Sequence, residues 1–475
     1  MRRIKTKNKL DTIDRFGFVM LCALMADCCI TGAGRLVMFG GISLRMILLA
    51  LTLVAAAPLM LSDWRALLKN KLIWALGLWV FWLAVTTVIG VAGGNNRSLI
   101  ITDLKGFAYF SLVPAAICLL RTKERVLTLM KVMIYASGVL GILVLIHFAL
   151  YLWNGEVFMK LYIFGLERGF SGISPISATM PRLFFKSSNY FLVGCAFATY
   201  LQAAEGKFRL DYTLITGISL VCLLMTYTRS VYLAVGIAAV ILIVALVIFM
   251  PAQTKKRVWK HIGLSVLVFC LILSVFGIAT KTDYVSYAIE RTLLSLESGV
   301  LPPGPGDPSD PTDPSVTLPT LPGEDSYLQD TVSSDQLRAK IQVALRQMIG
   351  KSPIWGNGLG AAVEWRHVNE YFYMDLTAKT GFIGLILYLL PAALAVWMAL
   401  KNRKALGENK AVACSWLCVL AGFLAFSYFN PYMNAALGVL FYSCTLGAVH
   451  AVAGEKTPQK TLETEDVIQK KEDIL

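Results

Sequence analysis

The run Arg366-His367-Val368-Asn369-Glu370 gathers a guanidinium, an imidazole, an amide and a carboxylate in one short stretch. On a helix His367 and Glu370 share a face, so imidazole and carboxylate can bond. Such a pair can take the proton of a hydroxyl that attacks as a nucleophile. A single histidine is more often structural, but this one keeps polar company. His367 reads as the base and Glu370 as the group that orients it. The other suggestive residues are cations. Arg229 lies in Met225-Thr226-Tyr227-Thr228-Arg229-Ser230, between two apolar runs that leave almost no loop. A charge there is costly unless it is paired or faces a wet cavity. It reads as an anion ligand, against the plainer reading of a snorkelling or helix-capping arginine. Arg182 and Lys186 flank the start of another apolar run, and Arg35, Arg45 and Lys105 lie near the ends of others. A phosphate or pyrophosphate headgroup would account for cations at that depth, because the guanidinium fork bonds two phosphate oxygens and stays charged. For Arg35, Arg45 and Lys105, anchoring to lipid headgroups explains them equally well.

Nothing in the sequence calls for a metal or a cofactor. There is no P-loop, no H-E-x-x-H, no C-x-x-C and no dinucleotide glycine fingerprint after a strand. The ten cysteines all fall in apolar runs, which argues against a disulfide-stapled outer domain. Cys414 and Cys418 share a helix face but lack a neighbouring histidine or carboxylate, so they read as packing residues. The remaining histidines, His147, His261 and His450, sit near span ends.

The elements that must position these residues are membrane helices. Of the 475 residues 56% are hydrophobic and only 16% charged, and the mean hydropathy is +0.64. A soluble domain is about 45–50% apolar and about 25% charged. A bilayer-crossing helix needs about 20 apolar residues. By that rule the spans are Phe16–Ile30, Ile42–Leu61, Leu72–Val91, Leu99–Leu120, Val126–Leu152, Ser187–Ala204, Leu210–Tyr227, Val231–Phe249, Ile262–Thr280, Tyr371–Leu400, Val412–Tyr428 and Met433–Val452. The expected fold is an all-α polytopic membrane protein of about twelve helices. The first run is read as a retained span rather than a removed signal peptide.

Lysine and arginine crowd alternate loops: Arg65, Lys69 and Lys71; Arg121, Lys123 and Arg125; Lys207 and Arg209; Lys255, Lys256, Arg257 and Lys260; Lys401, Arg403, Lys404 and Lys410. The positive-inside rule then places both termini in the cytoplasm, and it explains most of the net charge of +14 without nucleic acid. The expected layout is a basic cytoplasmic start (1–15), nine spans (16–280) with an outer loop (153–186), a large late outer loop (281–370), three spans (371–453) and a charged tail (454–475). Within the late loop, 301–323 is so rich in proline and aspartate that it reads as a solvated linker. Residues 335–390 then join a polar helix, a glycine turn (Gly356-Asn357-Gly358-Leu359-Gly360) and the next span, which brings water-exposed chain directly to the bilayer.

Several passages together resemble the O-antigen ligase and polysaccharide polymerase family of bacterial envelope glycosyltransferases. Leu337–Ala361 is similar to the family's arginine, helix and glycine-turn segment, with Arg338, Pro353, Gly356, Gly358 and Gly360 in place. Glu370–Pro391 looks like the span that follows, with Gly381 and Gly384. Met225–Val235 resembles the family's Ser-Arg turn, with Thr228 where serine is usual, and Met180–Leu192 is a weaker match that places Arg182. One position departs: counted back from Gly381, the family's histidine falls where this chain has Glu370, and His367 lies one turn earlier. Either residue can hold the role of base.

The resemblance implies an enzyme in the bacterial cytoplasmic membrane, with an extracytoplasmic site and a fold of the GT-C-like kind. The donor would be a glycan on undecaprenyl pyrophosphate and the acceptor a glycan or glycolipid. Arg182 and Arg229 would hold the pyrophosphate, with Arg338 as a helper; His367 or Glu370 would serve the acceptor. Lys186, Arg366, Asn369, Arg45 and Lys105 are further candidates. Other polysaccharide assembly proteins are potential partners. The Asp-Pro linker tilts the reading toward a polymerase over a ligase that joins finished glycan to a lipid A core. A glycan transporter is the rival from another class, but no internal repeat appears and the cations cluster at one face.

Overall fold

The apolar runs fold as helices. The computed structural model describes residues 2–171, 183–249, 252–281, 283–286, 288–289, 326–363, 370–402 and 410–453. In chain order they form α1 (Arg2–Thr31), a short hairpin of β1 (Met38–Phe39) and β2 (Ile42–Ser43), α2 (Leu44–Ser62), α3 (Trp64–Lys69) and α4 (Lys71–Ala92). There follow α5 (Arg97–Phe107), α6 (Leu112–Leu119), α7 (Lys123–Trp153), α8 (Gly155–Glu167), α9 (Tyr190–Ala204), α10 (Leu210–Met225), α11 (Arg229–Phe249) and α12 (Ala252–Thr280). The series closes with α13 (Ser326–Lys351), α14 (Phe372–Lys401), α15 (Lys410–Phe426) and α16 (Ala436–Ala453).

Among the described residues, eight helical segments are long and apolar enough to cross a membrane, and α9, α10 and α15 are shorter apolar helices. The protein is an all-α integral membrane protein. Helix limits fall close to the expected spans, with three differences, the first being that α1 starts at Arg2, well before Phe16. The run Leu99–Leu120 is broken into α5, a 3₁₀ turn at Ala108–Ser111 and α6. Pro114 cannot donate to the Phe110 carbonyl, and the chain tightens ahead of it. α12 starts at Ala252, well before Ile262, so its basic residues are helical too. The linker 301–323 and the tail 454–475 lie outside the described residues.

The chain passes back and forth between two ends of the bundle. One end holds the ion pairs Arg125–Asp14 (2.6 Å), Arg121–Asp63 (2.8 Å) and Lys131–Glu205 (2.6 Å). The glycine turn is at the other. Between them lies one continuous core, in which α16 is nearly enclosed: the Trp416, Phe423 and Phe441 rings meet there, and Tyr190 bonds the Leu437 carbonyl at 2.8 Å.

α14 carries Pro391, which denies one rung to its ladder. Tyr442 of α16 repairs the neighbouring rung. Its hydroxyl accepts from the Ala392 amide at 2.9 Å and donates to the Tyr388 carbonyl at 3.1 Å, standing between the two groups that would otherwise bond each other. Tyr442 is fully buried. Tyr442→Phe is expected to strand both backbone groups and to destabilise the protein by about 1–3 kcal/mol. A lowered thermal midpoint in detergent, with unchanged helicity, would report it.

Candidate active site

Three glycines in left-handed conformation shape the turn before α14, with φ of 78°, 83° and 79° at Gly356, Gly358 and Gly360. Gly358 shows why the residue type matters. A Cβ there would collide with the backbone of Gly90 in α4, and a Cβ on Gly90 would strike the Leu359 carbonyl. The turn is thus wedged into α4 at backbone distance, and the Leu359 amide donates to the Thr86 carbonyl at 3.0 Å. Asn95, just past α4, clamps the wedge: its Nδ2 donates to the Asn357 and Leu359 carbonyls at 3.0 and 2.9 Å. Asn357 in turn donates to the carbonyls of Met348 and Ala378, both at 2.8 Å, tying α13 to α14. Trp355 stacks on Trp82, whose indole donates to the Thr380 carbonyl at 2.9 Å.

Beneath the turn sits a buried charge cluster. Lys379 Nζ lies 2.8 Å from Asp375, one helical turn before it, and 2.9 Å from Asp103 of α5. The second Asp103 oxygen accepts from the Gly360 amide at 2.9 Å. α14 is also bent here, with Gly381 at φ 69° and ψ 178° inside it. Lysine, two carboxylates and glycine turn therefore form one block that joins α4, α5, α13 and α14.

Upon this block stand Arg338 and Glu370. Arg338 Nε donates to Glu370 Oε2 at 2.7 Å, bringing α13 over the start of α14. Both side chains are partly exposed, so the pair faces accessible space. Below them Ile341, Leu345, Val363, Tyr371 and Ala378 make a small apolar cluster of their own, with Phe429 against it.

Residues 214–389 match the family model described as O-antigen ligase. This segment is an O-antigen ligase family domain. No curated protein matches the chain. The match supports a membrane glycosyltransferase of O-antigen ligase or polymerase type.

Within the O-antigen ligase domain the structure brings Arg229 to the same end as Arg338 and Glu370. Arg229 opens α11 and is partly buried, after a sharp turn with Tyr227 at φ 45°. The link runs through the chain after α15: Asn430 donates to the Ser230 hydroxyl at 2.8 Å, while Phe429 packs against Tyr371 at 6.3 Å between ring centroids. Arg182 lies outside the described residues. Leu183, which follows it, donates to the Met225 carbonyl at 3.2 Å, just ahead of the Arg229 turn. His367, Arg366 and Asn369 also lie outside the described residues.

The remaining cations differ in setting. Lys186 is partly buried beside the contact of Ala33 with Gly169, and burial followed by the nearby Arg35 charge lowers its pKa. Lys105 is exposed on α5. Arg45 is buried and bound: Nε meets Asp27 at 2.9 Å and Nη2 meets the Thr31 hydroxyl at 3.1 Å. Its charge is largely balanced by Asp27, and one nitrogen, Nη1, meets no partner among the described residues. The described histidines have structural settings: His147 bonds the Leu143 carbonyl at 2.7 Å, His261 lies among threonines and His450 meets Asn70 at 3.4 Å.

Asp103, Asp375, Lys379 and Asn95 were not singled out from the sequence. A signal existed: Asp375 and Lys379 are spaced one turn apart within an apolar helix, where charges need partners. Asp103 shares no local pattern with them and becomes a partner only through the fold.

Proposed function

We propose that this glycosyltransferase moves a glycan from undecaprenyl pyrophosphate to an acceptor sugar hydroxyl at the outer face of the bacterial cytoplasmic membrane, and that it polymerises surface or capsular polysaccharide repeat units. The observation that carries the reading is the Arg338–Glu370 pair, 2.7 Å apart and partly exposed, at the bundle end that also bears Arg229. In this reading the acceptor oxygen attacks the anomeric carbon and the bond from that carbon to the pyrophosphate oxygen breaks. The pyrophosphate leaves with the electron pair. Arg229 and Arg182 stabilise its growing charge, as preorganised cations do for a departing phosphate. Glu370 or His367 takes the acceptor proton, and Arg338 holds Glu370 in place. Lys186, on the same face, adds positive potential. Twelve membrane passes with both termini cytoplasmic put this end outside.

The test is transfer by purified protein in vesicles supplied with a lipid-linked repeat unit. Wild type is expected to lengthen the glycan. Arg229→Ala is expected to lose about 10²–10³ in rate, the usual cost of one oxyanion-stabilising donor, while still reaching the membrane. Normal chain lengths from that variant would contradict its role at the phosphate. The family description also supports a ligase, which transfers a finished chain to a different acceptor. That reading predicts no lengthening when the repeat unit is the only acceptor.

A further inference from the structure

α11 and α12 are consecutive in the chain yet pack on different neighbours. α11 lies on α15, where the Cys418 thiol donates to the Ala238 carbonyl at 2.8 Å. α12 lies on α9 and α10: fully buried His261 meets Thr213 at 3.0 Å and Thr199 at 3.4 Å, and the Ser265 hydroxyl donates to the Thr213 carbonyl at 3.3 Å. The two helices diverge as a result, and a shallow cleft opens between them. Leu246 and Val258 form its floor, buried together with Ala203 of α9. Ile243, Val247, Trp259 and Ile262 stand around it, and Lys255 completes the lining. The cleft is at the end opposite the glycine turn, near the Lys131–Glu205 pair, and Arg257 reaches the Ala203 carbonyl there at 3.5 Å.

We propose that this cleft is a binding site for an anionic glycerophospholipid. An acyl chain lies along Leu246 and Val258, and the phosphate meets Lys255. Three observations favour this occupant. The lining is apolar apart from one lysine, which is the pattern of a lipid tail beneath a phosphate. Lys256, Arg257 and Lys260 crowd the same turns, and the first turn of α12 carries no acid. Such a cluster attracts anionic headgroups at about 1 kcal/mol per cation. Finally, only 11% of the best membrane-spanning window of α12 is buried inside the protein, so this flank faces bilayer, and Trp259, 55% exposed, has the amphipathic ring typical of the interface.

The test is native mass spectrometry of the whole protein, released from nanodiscs that hold phosphatidylglycerol and phosphatidylcholine in equal amount. Wild type is expected to retain phosphatidylglycerol in preference. Lys255→Ala should reduce that retention by about fivefold, Lys255→Arg should keep it, and Val247→Trp, which fills the groove, should abolish it. Lys69→Ala, an exposed lysine elsewhere at that end, should change nothing. Equal retention of the two lipids by wild type would overturn the proposal, and so would retention unaffected by both Lys255→Ala and Val247→Trp. The readout does not depend on glycan transfer.

Discussion

Lys379→Met is expected to leave little folded protein in the membrane. Lys379 neutralises two carboxylates at once, at 2.8 and 2.9 Å, and all three groups are largely withdrawn from solvent. Removing the ammonium leaves Asp103 and Asp375 facing each other in a poorly polarisable setting. Breaking one buried ion pair costs about 3–5 kcal/mol, a large share of a total stability of about 5–15 kcal/mol. The damage would spread, because Asp103 also holds the Gly360 amide and the turn is wedged against Gly90. Thermal unfolding in detergent would measure the loss. Lys379→Met combined with Asp103→Asn and Asp375→Asn is expected to recover much of it, since no uncompensated charge then remains. If the single variant melts like wild type, the cluster does not hold the turn.

Glu370→Gln is expected to do the opposite, sparing the fold and stopping the chemistry. The Arg338–Glu370 pair is partly exposed, at 32% and 23%, and such pairs contribute about 0–1 kcal/mol to stability. Glutamine keeps the shape and can still accept from Arg338, but it cannot take a proton. Transfer should fall by about 10²–10⁴, the usual contribution of a positioned base, at unchanged protein level and thermal midpoint. His367→Ala measured beside it separates the two candidates. The variant with the larger loss in turnover marks the base, and full activity in both would remove the base from the account.

The sequence made the helices legible because apolar runs long enough to cross a bilayer leave little choice of structure. Gly356, Gly358 and Gly360 were equally visible, and the matched family segment covers them together with Arg229, Arg338 and Glu370. What the sequence could not give was distance. Arg338 and Glu370 were named separately, one as a helper for phosphate and one beside a histidine, and only the fold joins them. Asp103 lies far along the chain from Lys379 and bonds it across two helices. Arg45 read as a cation near a span end, held by a phosphate or by lipid headgroups. Its partner Asp27 sits inside the first apolar run, and the close approach of α1 and α2 buries both. Pattern reading finds residues that repeat along one element, whereas charge clusters are assembled from several.

The lipid-linked glycans of a strain lacking this protein test the central claim most directly. Polymerisation predicts that single repeat units accumulate on undecaprenyl pyrophosphate and that long chains vanish, with wild-type protein restoring them and Arg229→Ala failing to. Accumulation of long lipid-linked chains would contradict a polymerase and point to a ligase. An unchanged profile would contradict glycan transfer by this protein altogether.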